Sequence, residues 1–198
     1  MRPFVLTVGL LLGTGALAQT APPKLEPKAA ETPAKPQRPR ATLDELFKRL
    51  ATAKNEEEAG GLARLIERRW GQSGSDTADL LMTRATEAIG AKNFPLAIEI
   101  LDRVVALEPG WAEAWNRRAT AFYLLDDPIS AMADIHRALE HEPRHFGAWA
   151  GLGHIYMGTD DKKHALEAYR KALAIHPQLS TVKTMVERLA PEVDGRDL

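Results

Sequence analysis

His141-Glu142-Pro143-Arg144-His145 is the string whose residue types and spacing fit a metal-assisted hydrolase. In H-E-x-x-H, two imidazoles four residues apart on a continuous helix face the same way and hold zinc, while the glutamate serves as base. Proline at the centre works against that geometry. Pro143 has no N–H, and its ring would meet the carbonyl of Leu139 if a helix ran on. A zinc metallohydrolase using His141 and His145 therefore stands as an alternative only, and no metal or other cofactor is expected. His136, His154, His164 and His176 form no pair on one helix face. Neither Ser73, Ser75, Ser130 nor Ser180 lies in a G-x-S-x-G context. Asp126-Asp127 and Asp160-Asp161 stand where helix N-caps belong, with no calcium loop around them. The chain has no Cys, which removes disulfides, thiolate metal sites and cysteine nucleophiles. The residues read as a protein that is not an enzyme.

Of 198 residues 44% are hydrophobic, and 26 Lys plus Arg against 27 Asp plus Glu leave a charge of −1. That balance gives no polyelectrolyte drive toward nucleic acid. The charge is uneven, with net +4 over residues 1–41 and −5 over 42–198. Arg2 followed by the apolar run Phe4 to Leu12 and by Ala16-Leu17-Ala18 is the pattern of a signal peptide cut after Ala18. An uncleaved membrane anchor would need ~20 apolar residues, about twice this run. The expected location is the periplasm, with no integral span after cleavage.

Residues 19–41 hold six of the thirteen prolines, which favours extended, disordered chain over helix or strand. This linker carries five positive charges against two negative. A plain spacer explains it better than a basic tether to wall or lipid.

A period of 34 residues organises the rest. Pro109, Pro143 and Pro177 recur at that step, as do Ala97, Ala131 and Ala165. Ala85, Ala119 and Gly153 form a small-residue column, and Leu101, Ile135 and Tyr169 a large one. Each unit reads as two helices. Trp115, Ala119 and Phe122 give the i, i+4, i+7 spacing of an apolar helix face. Asp127-Pro128 starts the next helix, and Glu142-Pro143 ends it. Helices this close need small residues at the crossing, here Ala119 against Ala131.

Trp115, Ala119, Phe122, Ala131, Ala138 and Pro143, with Trp149, Leu152, Gly153, Tyr156, Ala165, Tyr169, Ala172 and Pro177, resemble the tetratricopeptide repeat family. Small exported members of Gram-negative envelopes are the narrower likeness. The resemblance implies an all-α, right-handed superhelical solenoid of helix-turn-helix units. These span 76–109, 110–143 and 144–177, between an N-terminal helical hairpin cap (42–75) and a C-terminal capping helix with a frayed tail (178–198). Gly60-Gly61 should kink or fray the second helix of the cap.

In that family the first helix of each unit builds a concave face that binds segments of other proteins. Here its positions are Met82, Thr86 and Ile89, then Asn116, Thr120 and Tyr123, then Ala150, His154 and Met157. Met82 and Ile89 are equally readable as buried against the N-terminal helices. Met82 and Thr86 stand where the carboxylate-clamping members carry Lys and Asn, which argues against a clamp for a C-terminal carboxylate. Arg117 and Arg118 are expected to face solvent, and Trp111, which breaks its column, either anchors a partner or packs on its own turn. The expected function is a periplasmic scaffold that binds a protein or peptide segment in the groove, with a self-assembling envelope subunit as a further alternative.

Overall fold

The computed structural model describes residues 41–196; the expected signal peptide and most of the Pro-rich segment lie outside the described residues. These residues form α1 (Leu43–Ala51), α2 (Glu56–Trp70), α3 (Asp76–Gly90), α4 (Phe94–Leu107) and α5 (Ala112–Leu124). They continue through α6 (Pro128–His141), α7 (Phe146–Gly158), α8 (Lys162–Ile175) and α9 (Ser180–Val193), closed by a 3-10 turn at Asp194–Arg196. No strand occurs among the described residues. The fold is an all-α helical repeat solenoid.

Local chemistry sets the helix ends. Thr42 and Glu45 form a reciprocal capping box at α1, and Asn55 caps α2. Asp127 and Asp161 accept from the third-residue N–H of α6 and α8, as Asn93 does at α4. The first helix of each unit stops at a left-handed residue, Lys92, Asp126 or Asp160, with φ of 59°, 64° and 59°. The next N–H turns back to the carbonyl five residues earlier, as from Asn93 to Ala88 and from Asp127 to Phe122. The turns that close the first two units are pinned by tryptophan. Trp115 Nε1–H donates to Pro109 at 2.8 Å, and Trp149 Nε1–H donates to Pro143 at 2.9 Å. Cations one unit apart, Arg137 and Lys171, lie over those two indoles.

Within each unit the small column lies at the close crossing. Ala85, Ala119 and Ala131 are buried, and Ala119 shares one core with Ala131 and Ile135. In the third unit Tyr169 replaces the aliphatic residue and is fully buried. A methyl group on Gly153 would overlap the Tyr169 ring, so glycine follows from tyrosine.

The ends differ from the reading by sequence in three respects. Helix α2 runs unbroken through Gly60-Gly61, because Ala59, Leu62, Ala63 and Ile66 are all buried and fix its turns. Helix α9 continues through Pro191 to Val193 instead of fraying. Ala190 and Val193 pack on the last core, and Lys162–Glu192 (2.6 Å) and Arg170–Asp194 pairs hold the extra turn. Third, the α1–α2 hairpin does not close its apolar core on α3 and α4. It closes on Phe146 and takes Ile175 at its edge. Arg144 pairs with Asp44 at 2.7 Å and lies over the Phe47 ring, and Trp70 stacks on His145 with ring centroids 4.2 Å apart. The hairpin is a strap to the third unit.

Gly153→Ala should cost ~1–3 kcal/mol by overpacking, although alanine is the better helix former. In a Tyr169→Ile background, which recreates the Ala119–Ile135 arrangement, the same change should be neutral or stabilising. Thermal melting of the four proteins checks this, and equal costs in both backgrounds would refute the pairing.

Candidate functional site

Glu113, Asn116, Thr120 and Tyr123 share one face of α5 by their i, i+3, i+7, i+10 spacing. Across from them α7 presents Gly147, Gly151 and His154. Between the two helices lies a hollow of about 230 Å³, floored by Ala119, Ile135 and Ile155. Four of the residues expected to bind, Asn116, Thr120, Tyr123 and His154, therefore line one cavity. A second hollow of about 350 Å³ shares Tyr123 and Ile155 and runs to Pro128 and Thr159 at the rim.

The remaining expected positions lie elsewhere. Met82 is 7% exposed within the first unit's core, and Ile89 packs against that core. Met157 packs on the core that α8 and α9 share. Thr86 is exposed, but its hydroxyl donates to the Met82 carbonyl and it does not line the hollow. Ala150 likewise packs on the α8–α9 core. Helical stepping alone does not separate groove from core where a neighbouring element covers the face. Gly147 and Gly151 carry no signal in the apolar columns. The mark that finds them is a 34-residue substitution of Glu113 and Arg117 by two glycines inside a helix.

The polar groups of the hollow have fixed orientations. Tyr169 is buried and its O–H has His154 Nδ1, 2.8 Å away, as acceptor. Burial and nearby Tyr123 push the Tyr169 phenol up to about 12, so it stays protonated and donates. His154 then carries its proton on Nε2, and burial holds its pKa below the ordinary histidine value. Asn116 Nδ2 donates to Glu113 at 3.1 Å, which leaves its Oδ1 as an acceptor. Thr120 donates to the Asn116 carbonyl.

At the α2 end of this face sits a buried charge network. Glu113, 8% exposed, receives Arg117 at 2.6 Å and His145 Nε2 at 2.9 Å. Burial alone would raise the Glu113 carboxyl, but those hydrogen bonds and charges outweigh it and hold it below the usual range. Glu67 of α2 is raised by its own burial and by Glu113 nearby.

This network also decides the H-E-x-x-H string. His141 ends α6, whereas His145 is the N-cap of α7 and accepts from Ala148 N–H through Nδ1. Both His145 nitrogens are engaged and Glu142 is bound to Arg144, so the string cannot hold zinc on one helix face. Trp111 is no exposed anchor: it is buried and donates to the Trp70 carbonyl. Arg118 does not face solvent either. It forks onto Asp134 at 2.7 and 2.8 Å and reaches Asp102 of α4 at 2.8 Å.

A family model described as "Tetratricopeptide repeat" matches residues 146–179. A TPR repeat-containing protein of Rhizobium etli is 36% identical over 203 residues, 98% of this chain and 97% of that protein. Among solved structures, the Sgt2 TPR domain from Aspergillus fumigatus is similar at a TM-score of 0.58 and 22% identity. That match covers 62% of this chain and 83% of the domain. The Yersinia enterocolitica type III secretion chaperone SycD, in complex with a peptide of the translocator YopD, is similar at 0.57 and 13% identity. Here the cover is 60% of this chain and 95% of that one.

Two expectations follow. A methyl group on Gly151 would meet only Ile135 Cδ1, at an ordinary 3.5 Å, so Gly151→Ala should stabilise the fold by ~0.5–1 kcal/mol in urea unfolding. A loss of stability would mean that packing needs the glycine. The second concerns pH. His154 and His176 are both lowered by burial from a value of 6.5. Above that value both folded and unfolded chains are neutral at these sites. Below it the unfolded chain takes up protons that the fold resists, so the melting temperature should fall as pH drops below 6.5. His176→Gln should flatten this limb, while the loss from protonating Glu113 begins only below its ordinary 4.5.

Proposed function

Because the chain belongs to the tetratricopeptide repeat family, we propose that it is a non-enzymatic scaffold that holds a segment of a partner protein against the α5–α7 face, in the periplasm or cell envelope. The observation that carries this reading is the convergence of Asn116, Thr120, Tyr123 and His154 on one open hollow. A protein of the same fold, SycD, has been solved with a peptide of another protein. Export is supported by Arg2, the apolar run Phe4–Leu12 and Ala16-Leu17-Ala18. Tyr123 is the strongest candidate contact, since it is 42% exposed and offers a large ring at low entropic cost. No Lys or Arg lines the hollow, so binding should depend weakly on salt.

Affinity capture from envelope extract, followed by titration of the captured partner, tests the reading. Tyr123→Ala should weaken the partner by ~1–2 kcal/mol with the melting temperature nearly unchanged, and His141→Ala should leave affinity alone. The reverse result would move the site to the turn at His141.

A further inference from the structure

Helix α7 ends on Gly158 and carries three further glycines, at 147, 151 and 153, of which only one is demanded by packing. Gly153 is forced by the Tyr169 ring. At Gly147 and Gly151 an added methyl would meet its nearest side-chain atoms at 3.5 Å, an ordinary contact. Glycine inside a helix costs stability relative to alanine. The same register of α5 holds Glu113 and Arg117, so α7 has a bare strip where its neighbour carries side chains. That strip is one wall of the hollow. Among the described residues, no side chain fills the space.

The two arginines of α5 are already paired. Arg117 is bound to Glu113, and Arg118 to Asp134 and Asp102. What remains is His154 Nε2–H as a donor and Asn116 Oδ1 as an acceptor, each oriented by a buried partner, Tyr169 and Glu113. One donor and one acceptor across an uncharged, apolar-floored hollow complement the carbonyl and N–H of a peptide backbone. A carboxylate would find no cation among the lining residues. The volume, about 230 Å³, suffices for one aliphatic side chain, since an apolar cavity of ~150 Å³ admits benzene.

We propose that the hollow takes an uncharged, extended stretch of polypeptide whose backbone lies on the Gly147–Gly151 strip and whose one aliphatic side chain enters between α5 and α7. His154 donates to, and Asn116 accepts from, its backbone amides. This assignment rests on the groove reading above and names the chemistry that the groove selects.

The full chain, labelled with ¹⁵N, is titrated with acetyl-Ala-Ala-Leu-Ala-Ala-amide, with the same peptide bearing a free C-terminal carboxylate, and with a version carrying Asp for Leu. The amidated leucine peptide should shift the Gly147 and Gly151 amides and the His154 imidazole nitrogens. It should bind at least as tightly as the free acid and at least tenfold more tightly than the Asp peptide. Gly151→Leu, and Gly147→Leu as a second variant, should weaken it tenfold or more with the melting temperature held or raised. Tyr169→Phe should change the His154 nitrogen pattern, because the proton is no longer confined to Nε2. A tenfold preference for the free acid, unchanged affinity in both leucine variants, or no shift with any of the three peptides would overturn the proposal. If the envelope partner still depends on Tyr123 while the peptides leave α7 untouched, the groove stands and this assignment falls. If the partner ignores both Tyr123→Ala and Gly151→Leu, the groove itself falls.

Discussion

Two helices lie side by side at ~8–10 Å only where the residues at their crossing are small, and the described residues meet that constraint once in each unit. Ala85, Ala119 and Gly153 fill the same place at a step of 34 residues. What stands opposite decides how small the residue must be. Leu101 and Ile135 leave room for a methyl, whereas the Tyr169 ring occupies that room. The choice in the third unit has a second consequence. A buried tyrosine must place its hydroxyl, and it places it on His154, at the edge of the hollow. Core packing thus sets the tautomer of a groove residue.

The strap follows from the turns. The first two units each end in a turn whose proline carbonyl is taken by the tryptophan of the next helix, and that fixes the residues in between. In the third unit those residues are Arg144, His145 and Phe146, which present a cation, an imidazole face and a benzyl group to the α1–α2 hairpin. Repeat arrays ordinarily contact only their neighbours along the chain. Here the Arg144–Asp44 pair joins residues 100 apart, and Gln178 reaches the Ala53 carbonyl across 125. The hairpin also covers the Glu113 end of the α5 face, so the open part of the groove runs from Asn116 toward Tyr123.

The units themselves were legible because a helix crossing, a cap and a turn each impose a residue type, and three copies repeat it in phase. Asp127-Pro128 and Glu142-Pro143 mark helix limits to within a residue or two. Asn116, Thr120, Tyr123 and His154 were legible for the same reason, as the faces of α5 and α7 opposite the packing columns. The same stepping places Met82 and Met157 on the equivalent face, yet Met82 is buried in the first core and Met157 is packed on the last. Periodicity reports the face and is silent on what covers it. The strap is illegible for a related reason: its contacts join stretches with no shared pattern, and Trp111 and His145 look like exposed polar or aromatic residues until Trp70 is set against them.

The neutrality of the hollow is a product of pairing. Helix α5 carries Glu113, Arg117 and Arg118 in one and a half turns, enough to make a charged groove. Leaving Glu113 buried without partners would be costly, and the structure supplies Arg117, His145 and Asn116 to it. Arg118 is withdrawn to the other side by a bidentate bond with Asp134, itself 5% exposed, and by Asp102. With both arginines committed, the groove-facing side of α5 retains an amide oxygen, a threonine already bonded to backbone, and a tyrosine. The bare strip of α7 completes the surface. A groove of this kind distinguishes ligands by whether they bring a charge it cannot answer, because an unpaired carboxylate in the hollow would lose hydration and meet no cation among the lining residues.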